Sequence, residues 1–283
     1  MSEVSDVPLE ELALLLQWEG WLSNARVREV CGVQAVRASV LIRQFREAHP
    51  KWLYHDTKTK AYYPTRAYFE HVRKQPSRRA YADNLVRYLA LVGLPYATPV
   101  KPDHRYLVTA HTDLSTPFPL HFAALHAAAR ERRVVRIAYR SMTHPEAHFR
   151  EISPHTVVRA GRRWHVRAFC DVAKDYRDFT LGRIAGVETL ERTAERYVEH
   201  DIAWQTQVKV RLFPHPALTH MQAEVIRAEY MGGTAGLVET CRGALLKYFV
   251  QDARAAVSDA QQPPEYQLAV ENVKEIEPWL FLK

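Results

Sequence analysis

The sequence predicts an α+β protein of several domains, and three observations carry that prediction. Its 283 residues exceed the roughly 100 to 200 of one domain. The N-terminal part repeats apolar residues at helical spacing, whereas the stretch from Val134 onward alternates them at strand spacing. From Gln207 to the end, strand-like and helix-like patterns alternate between turn residues.

Composition agrees with a folded chain. It is 47% hydrophobic and 25% charged, with 10 Gly and 16 Pro, which leaves little room for disorder or fibrous repeats. Cys31, Cys170 and Cys241 are far apart, odd in number and form no CxxC, so neither a disulfide framework nor a zinc ribbon is expected. The N-terminus lacks a basic-then-apolar export pattern, and no stretch nears the ~20 apolar residues of a membrane span. The expectation is a cytoplasmic protein without membrane contact.

Leu9 to Leu22 places Leu9, Leu12, Leu16 and the adjoining Leu15 on one helical stripe. Ser23 or Asn24 can cap a short second helix ending at Cys31, and Gly32 makes the turn. A third helix from about Gln34 to Ala48 ends before His49-Pro50. That succession is a helix-turn-helix outline. On the third helix Ala38, Leu41, Ile42 and Phe45 share one arc and pack. Ser39, Arg43 and Arg46 lie opposite and can face DNA. Gln34 and Arg37 stand in the first turn, where an amide can pair with adenine and a guanidinium with guanine. Residues 51 to 65 then alternate into two strands around Thr57-Lys58-Thr59-Lys60, a wing whose Lys58 and Lys60 can meet phosphate.

Charge supports this. Residues 26 to 79 hold 13 basic against 4 acidic side chains, and residues 130 to 183 hold 13 against 6. Two positive blocks point to two polyanion-facing surfaces. The bland alternative is a helical bundle whose arginines only solvate it.

Ser77 to Val92 forms a linker helix with Ala80, Leu85, Leu89 and Val92 inward, followed by a loop marked by Pro95, Pro99 and Pro102. A helix from His121 to Arg132 then introduces the strands. Residues 134–141 (VVRIAYRS), Ile152-Ser153-Pro154-His155, 161–170 (GRRWHVRAFC) and 176–184 (YRDFTLGRI) together resemble the WYL domain of bacterial transcription regulators, over roughly residues 118 to 190. The naming tripeptide stands here as Trp164-His165-Val166, a departure at two of three positions. The Arg-x-Phe-x-Leu-x-Arg-Ile string at 177–184 is the more specific part. Residues 17–33 (QWEGWLSNARVREVCGV) and 60–65 (KAYYPT) are similar to the winged-helix part of the WYL repressors of phage-defence islands, the BrxR and CapW type. This resemblance implies a small, strongly bent Sm-like barrel in the middle of a homodimeric repressor. It also implies a C-terminal α+β module that assists dimerisation.

Carried over residue by residue, the family pocket falls on Tyr139, Ser141, His155, Arg167, Arg177 and Arg183. Guanidinium groups offer paired donors to phosphate, and the hydroxyls and imidazole add further polar groups. An anionic nucleotide or oligonucleotide is the expected ligand. On strand spacing Tyr139 and Ser141 share a face. Trp164 reads as a wall or core residue and His165 as a half-exposed strand position, while Asp175 or Asp178 can pair with the arginines.

His144 and His148 are four apart, but Pro145 makes their segment a hairpin loop with no third metal ligand. No phosphate loop, nucleophile elbow or paired carboxylates appear, so neither enzyme chemistry nor a cofactor or metal is expected. After Gln207 come a strand, a helix from about Pro216 to Tyr230, a turn at Gly232-Gly233, a strand near Leu237–Cys241, a helix from Gly243 and a last strand-like piece. The expected divisions are 1–95, a linker at 96–117, 118–204 and 205–283. The expected function is repression of a phage-defence operon through a pseudo-palindromic duplex operator. The alternatives are an accessory nucleic-acid-binding protein without promoter specificity and an enzyme of nucleotide metabolism.

Overall fold

A computed structural model describes residues 9–74, 78–92, 115–160 and 163–280. The chain divides into two compact units. The larger runs to Val158 and resumes through Glu195, and the smaller holds Arg159 and the chain from Arg196 onward.

Helix α1 (Leu9–Glu19) holds the whole leucine stripe but stops short of Leu22, the expected end. Gly20 adopts φ +78°, and a Cβ there would stand 3.4 Å from that of Ala123, so the left-handed turn and the close helix approach favour glycine. The chain then runs extended, and Leu22 exchanges two backbone hydrogen bonds with Tyr62 at 2.9 and 2.7 Å. Of the two candidate caps, Ser23 is the one used: its Oγ accepts from Arg26 N at 3.1 Å and starts α2 (Asn24–Cys31). Gly32 at φ +66° ends it. Helix α3 (Ala35–Ala48) comes next with Gln34 as N-cap, and its arc Ala38, Leu41, Ile42 and Phe45 is buried.

Strands β1 (Leu53–Asp56) and β2 (Ala61–Pro64) pair antiparallel, Asp56 opposite Ala61, around the Thr57–Lys60 tip. Beyond them lies a helix, α4 (Arg66–Arg73), that the sequence pattern does not foretell. It is short and buries only Tyr68 and Val72, too little pattern to show against the preceding alternation. Helix α5 (Arg78–Leu91) is the linker helix, with Leu85 and Leu89 buried. The side chain of Ala80, the loop at Pro95, Pro99 and Pro102, and residues 96–114 of the expected linker lie outside the described residues.

Helix α6 (Pro119–Glu131) begins at a proline in its first turn, a position that needs no amide hydrogen. It packs on α1 and on β3 (Arg133–Tyr139) and β7 (Ile184–Thr193). With β4 (His148–Ala160), β5 (Arg163–Cys170) and β6 (Asp175–Thr180) these strands form a five-stranded sheet in the order β6-β5-β4-β3-β7. The sheet is strongly curled. The Tyr139 ring on β3 meets Phe179 on β6 edge-on at 5.1 Å, although two strands separate theirs in the sheet. Inside the curl lie Val135, Ile137, Ile152 and Val166, all fully buried.

In the smaller unit a four-stranded sheet runs β10-β11-β8-β9, with β8 (Gln207–Pro214), β9 (Leu237–Arg242), β10 (Ala255–Ala256) and β11 (Leu268–Val270). Two helices accompany it, α8 (His220–Tyr230) and α9 (Gly243–Asp252); one turn of helix, α7 (Ile202–Gln205), precedes the sheet and another, α10 (Val273–Ile276), comes after the last strand. Helix α8 starts later than Pro216 because Thr219 and Gln222 form a reciprocal capping box. Val210, Leu212, Ile226, Leu246, Val250 and Ile276 form the core of this unit.

Candidate nucleic-acid interface and ligand site

The winged-helix part is held from below by a buried charge. Glu19, at the end of α1, receives the Arg26 guanidinium through Nε at 2.9 Å and Nη2 at 2.6 Å, and the Tyr88 hydroxyl of α5 at 3.2 Å. The carboxylate holds the Arg26 guanidinium charged, well above its ordinary pKa, against the cost of burial. Asn24 Nδ2 donates to Ala35 O and to Ser39 Oγ, both at 2.8 Å, which sets α2 against α3.

On α3 the residues opposite the buried arc face outward. Gln34 and Ser39 are exposed and Arg37 is half-buried. Arg43 is 68% exposed and only 4.0 Å from Glu47, a surface pairing too weak to withhold its guanidinium. Ser39 accepts from Asn24, which leaves its hydroxyl hydrogen as a donor. Arg46 lies over the Tyr62 ring at 5.0 Å and ties the helix to the wing. At the wing tip Lys58 and Lys60 are exposed, and Lys60 takes φ +54°. Asp56 accepts from Lys58 N at 2.8 Å, a bond that draws its carboxyl below the usual range and shapes the tip. Two residues of this surface escape a reading of the sequence alone. Val36 is 79% exposed in the first turn of α3. Tyr54 is exposed on β1, 5.9 Å from Tyr63. The one signal that could have found Val36 is an apolar residue lying off the buried arc.

The second positive block folds differently from its one-dimensional order. Cross-strand partners share a face of a sheet, and here Arg167 is opposite Asp178 while Ala168 is opposite Arg177. Arg167 and Arg177 therefore stand on opposite faces. The Arg167 face also holds His165, opposite Thr180, and Phe169, opposite Tyr176. His155 joins it through a ring contact with Tyr176 at 5.9 Å. Arg167 Nη1 donates to Asp178 Oδ1 at 3.2 Å, with each side chain 7% exposed. Thr180 Oγ1 lies 3.5 Å from His165 Nδ1, and His155 Nδ1 lies 2.8 Å from Thr156 Oγ1.

Of the expected pocket residues, the structure thus gathers His155 and Arg167. Tyr139 is buried inside the curl, its hydroxyl accepting from Thr180 N at 3.3 Å. Ser141 does not continue the strand, which ends at Tyr139. Its hydroxyl instead accepts from His144 N at 2.9 Å and closes a turn, so the expectation of a shared strand face fails. Arg177 is exposed on the other face, and Arg183 is half-buried in the turn after β6, where its carbonyl accepts from Arg140 N at 3.1 Å. His165, expected half-exposed, is buried. Gly161 lies outside the described residues. Trp164 is buried in the core, edge-on to Phe122 at 5.3 Å. His144 and His148 sit at the hairpin loop with rings 5.9 Å apart, and among the described residues no three metal-type side chains group together. Nor is any described helix long and apolar enough to cross a membrane.

Chemically, the Arg167 face carries a fixed guanidinium whose charge a carboxylate already balances, beside two imidazoles and hydroxyls. The guanidinium is thus neutralised within the fold, as a charge buried this deeply requires.

Comparison with known proteins divides the chain into three parts. Residues 7–87 match the model of the BrxR transcriptional regulator winged helix-turn-helix domain, 120–189 the WYL domain, and 207–276 the BrxR transcriptional regulator C-terminal dimerization domain. The DNA-binding transcriptional repressor CapW of Pseudomonas aeruginosa is 30% identical over 95% of this chain and 89% of its own. The repressor of the same name from Escherichia coli strain KTE188 is 29% identical over the same shares. A crystal structure of a CRISPR Cas-related protein aligns over 98% of this chain and 86% of its own at 13% identity, with a TM-score of 0.32, too low to bear on the fold. With its winged helix, WYL sheet and C-terminal α+β unit in that order, the chain belongs to the CapW family of DNA-binding transcriptional repressors.

Proposed function

We propose that the protein represses a phage-defence operon as a homodimer on a pseudo-palindromic operator, and releases it when an anionic nucleotide or oligonucleotide occupies the His155–Arg167 face. One observation carries the DNA-binding half. The outward side of α3 presents Gln34, Val36, Ser39 and Arg43 beside a wing tipped with Lys58 and Lys60, which is base-reading chemistry flanked by phosphate-binding charge. Two-fold symmetry of the protein then requires two half-sites.

Release needs a ligand that prefers the conformation in which the two winged helices are badly spaced; equal affinity for both conformations shifts nothing. The aromatic contacts supply a material connection. Trp164 on β5 touches Phe122 of α6, which stands edge-on to Trp18 of α1 at 5.4 Å. Arg167 lies on the same short strand as Trp164. A shift of β5 when phosphate takes Arg167 from Asp178 is thus felt at α1, whose last residue, Glu19, anchors α2 through Arg26.

The test is a gel-shift titration of the full chain on the DNA upstream of its own operon against a shuffled duplex at physiological salt. Strong preference for the upstream DNA supports the repressor reading. Equal binding to both duplexes transfers the function to an accessory nucleic-acid-binding protein without promoter specificity.

A further inference from the structure

Helix α8 buries only Ile226 in its own unit. At 100° per residue, Met221, Val225 and Ala228 fall on one stripe on the side away from Ile226, and all three are exposed, Met221 at 77% and Val225 at 63%. A surface helix ordinarily turns charge to that side. An outward apolar stripe of this kind marks a surface that is covered in the working protein. On one flank Glu224 accepts from Arg227 Nη1 at 2.6 Å and lies 3.9 Å from His220 Nε2, so that carboxylate is already paired within the helix, while Glu229 on the other flank is exposed and belongs to the polar rim.

We infer that this stripe is the apolar centre of the dimer interface, with α8 of one protomer packed against α8 of its partner across the two-fold axis near Val225. The proposal rests on the homodimer reading above. A second copy of this chain is the occupant because α8 lies wholly within residues 207–276, the span that matches a dimerization domain. A two-fold contact must also be self-complementary, and an antiparallel pairing about Val225 sets Met221 of each protomer beside the Ala228 end of the other, a large side chain against a small one. A stable interface needs about 800 Å² from each partner. One helical stripe supplies only part of that, so the surrounding polar residues form its rim.

The experiment is analytical ultracentrifugation of the full-length chain over a concentration series, wild type beside Val225→Glu. Val225 is exposed in the monomer, so the substitution leaves the core of the unit intact. The expected result is a wild-type dimer whose midpoint concentration for dissociation rises about a hundredfold in Val225→Glu. A variant that dimerises as tightly as a dimeric wild type overturns this inference and leaves the homodimer reading standing. A wild-type chain that stays monomeric throughout overturns both. Should Val225→Glu fail to fold, Val225→Cys decides: mild oxidation is expected to link two copies through residue 225, as wild type does not, and absence of that crosslink overturns the assignment.

Discussion

Phe122 of α6 stands edge-on to Trp164 of β5, ring centroids 5.3 Å apart and planes at 77°. The same ring is edge-on to Trp18 of α1, and all three side chains are buried. Edge-to-face pairs add to the stabilisation that burial itself provides, so one phenylalanine joins the winged helix to the WYL sheet. Phe122→Ala is expected to cost about 3 to 5 kcal/mol and to lower Tm by at least about 6 °C in scanning calorimetry. An unchanged melting curve would show that the three rings do not carry the junction.

The recognition helix and wing make a separable prediction. Arg43→Ala combined with Lys58→Ala removes two phosphate contacts and is expected to reduce the slope of log K against log salt by about 2. The melting temperature should not move, since both side chains are exposed. Gln34→Ala should instead relax the preference for one base pair, with little change in salt slope. Fluorescence anisotropy on a labelled duplex at several salt concentrations reads both. A double variant that retains wild-type affinity and slope would remove α3 and the wing from the interface.

Asp178 and Arg167 form a buried ion pair, and removal of one charge from such a pair is costly. Asp178→Asn is expected to destabilise the protein by about 3 kcal/mol. A short oligonucleotide should then raise Tm more in this variant than in wild type, because an anion restores the balance that Asp178 supplied. Equal shifts in the two proteins would place the anion away from Arg167.

Acid should weaken the junction through His126. Its ring stacks on Phe122 at 6.4 Å, and burial pushes its pKa below the ordinary histidine value, with the nearby Glu19 only partly opposing this. In the unfolded chain the imidazole protonates near pH 6.5, so below that pH the unfolded state binds more protons than the folded one. The contribution is complete above pH 6.5 and is lost as pH falls from there toward the lowered folded value. Tm measured from about pH 7.5 to about pH 5.5, a range that brackets the ordinary histidine value, should decline, and His126→Gln should make that decline shallower. An identical pH profile in the variant would assign the acid sensitivity elsewhere, for example to His121, which burial also depresses.

The N-terminal third was legible because its signals are local. A serine cap, a glycine turn, an arc repeating at helical spacing and a lysine-tipped hairpin each act over a few residues, and their elements lie where those signals fall. Helix α4 was missed because two buried residues make too weak a period, and α1 ran too long because a leucine stripe does not reveal that Gly20 must let α6 approach. For the WYL segment, the strings around Trp164 and Phe179 identified the strands. They did not tell which arginines meet.

Residue type and short-range spacing were thus enough to specify most of the elements and the family, because each of these is written within a few neighbouring positions. The make-up of the Arg167 face came from the folded arrangement alone. Register between β5 and β6 set Arg167 against Asp178 and turned Arg177 to the other side, and the curl of the sheet drew Tyr139 inward to Phe179. A one-residue change in pairing exchanges the two faces of a strand, and that register is fixed by packing between strands rather than by the residues of either strand alone.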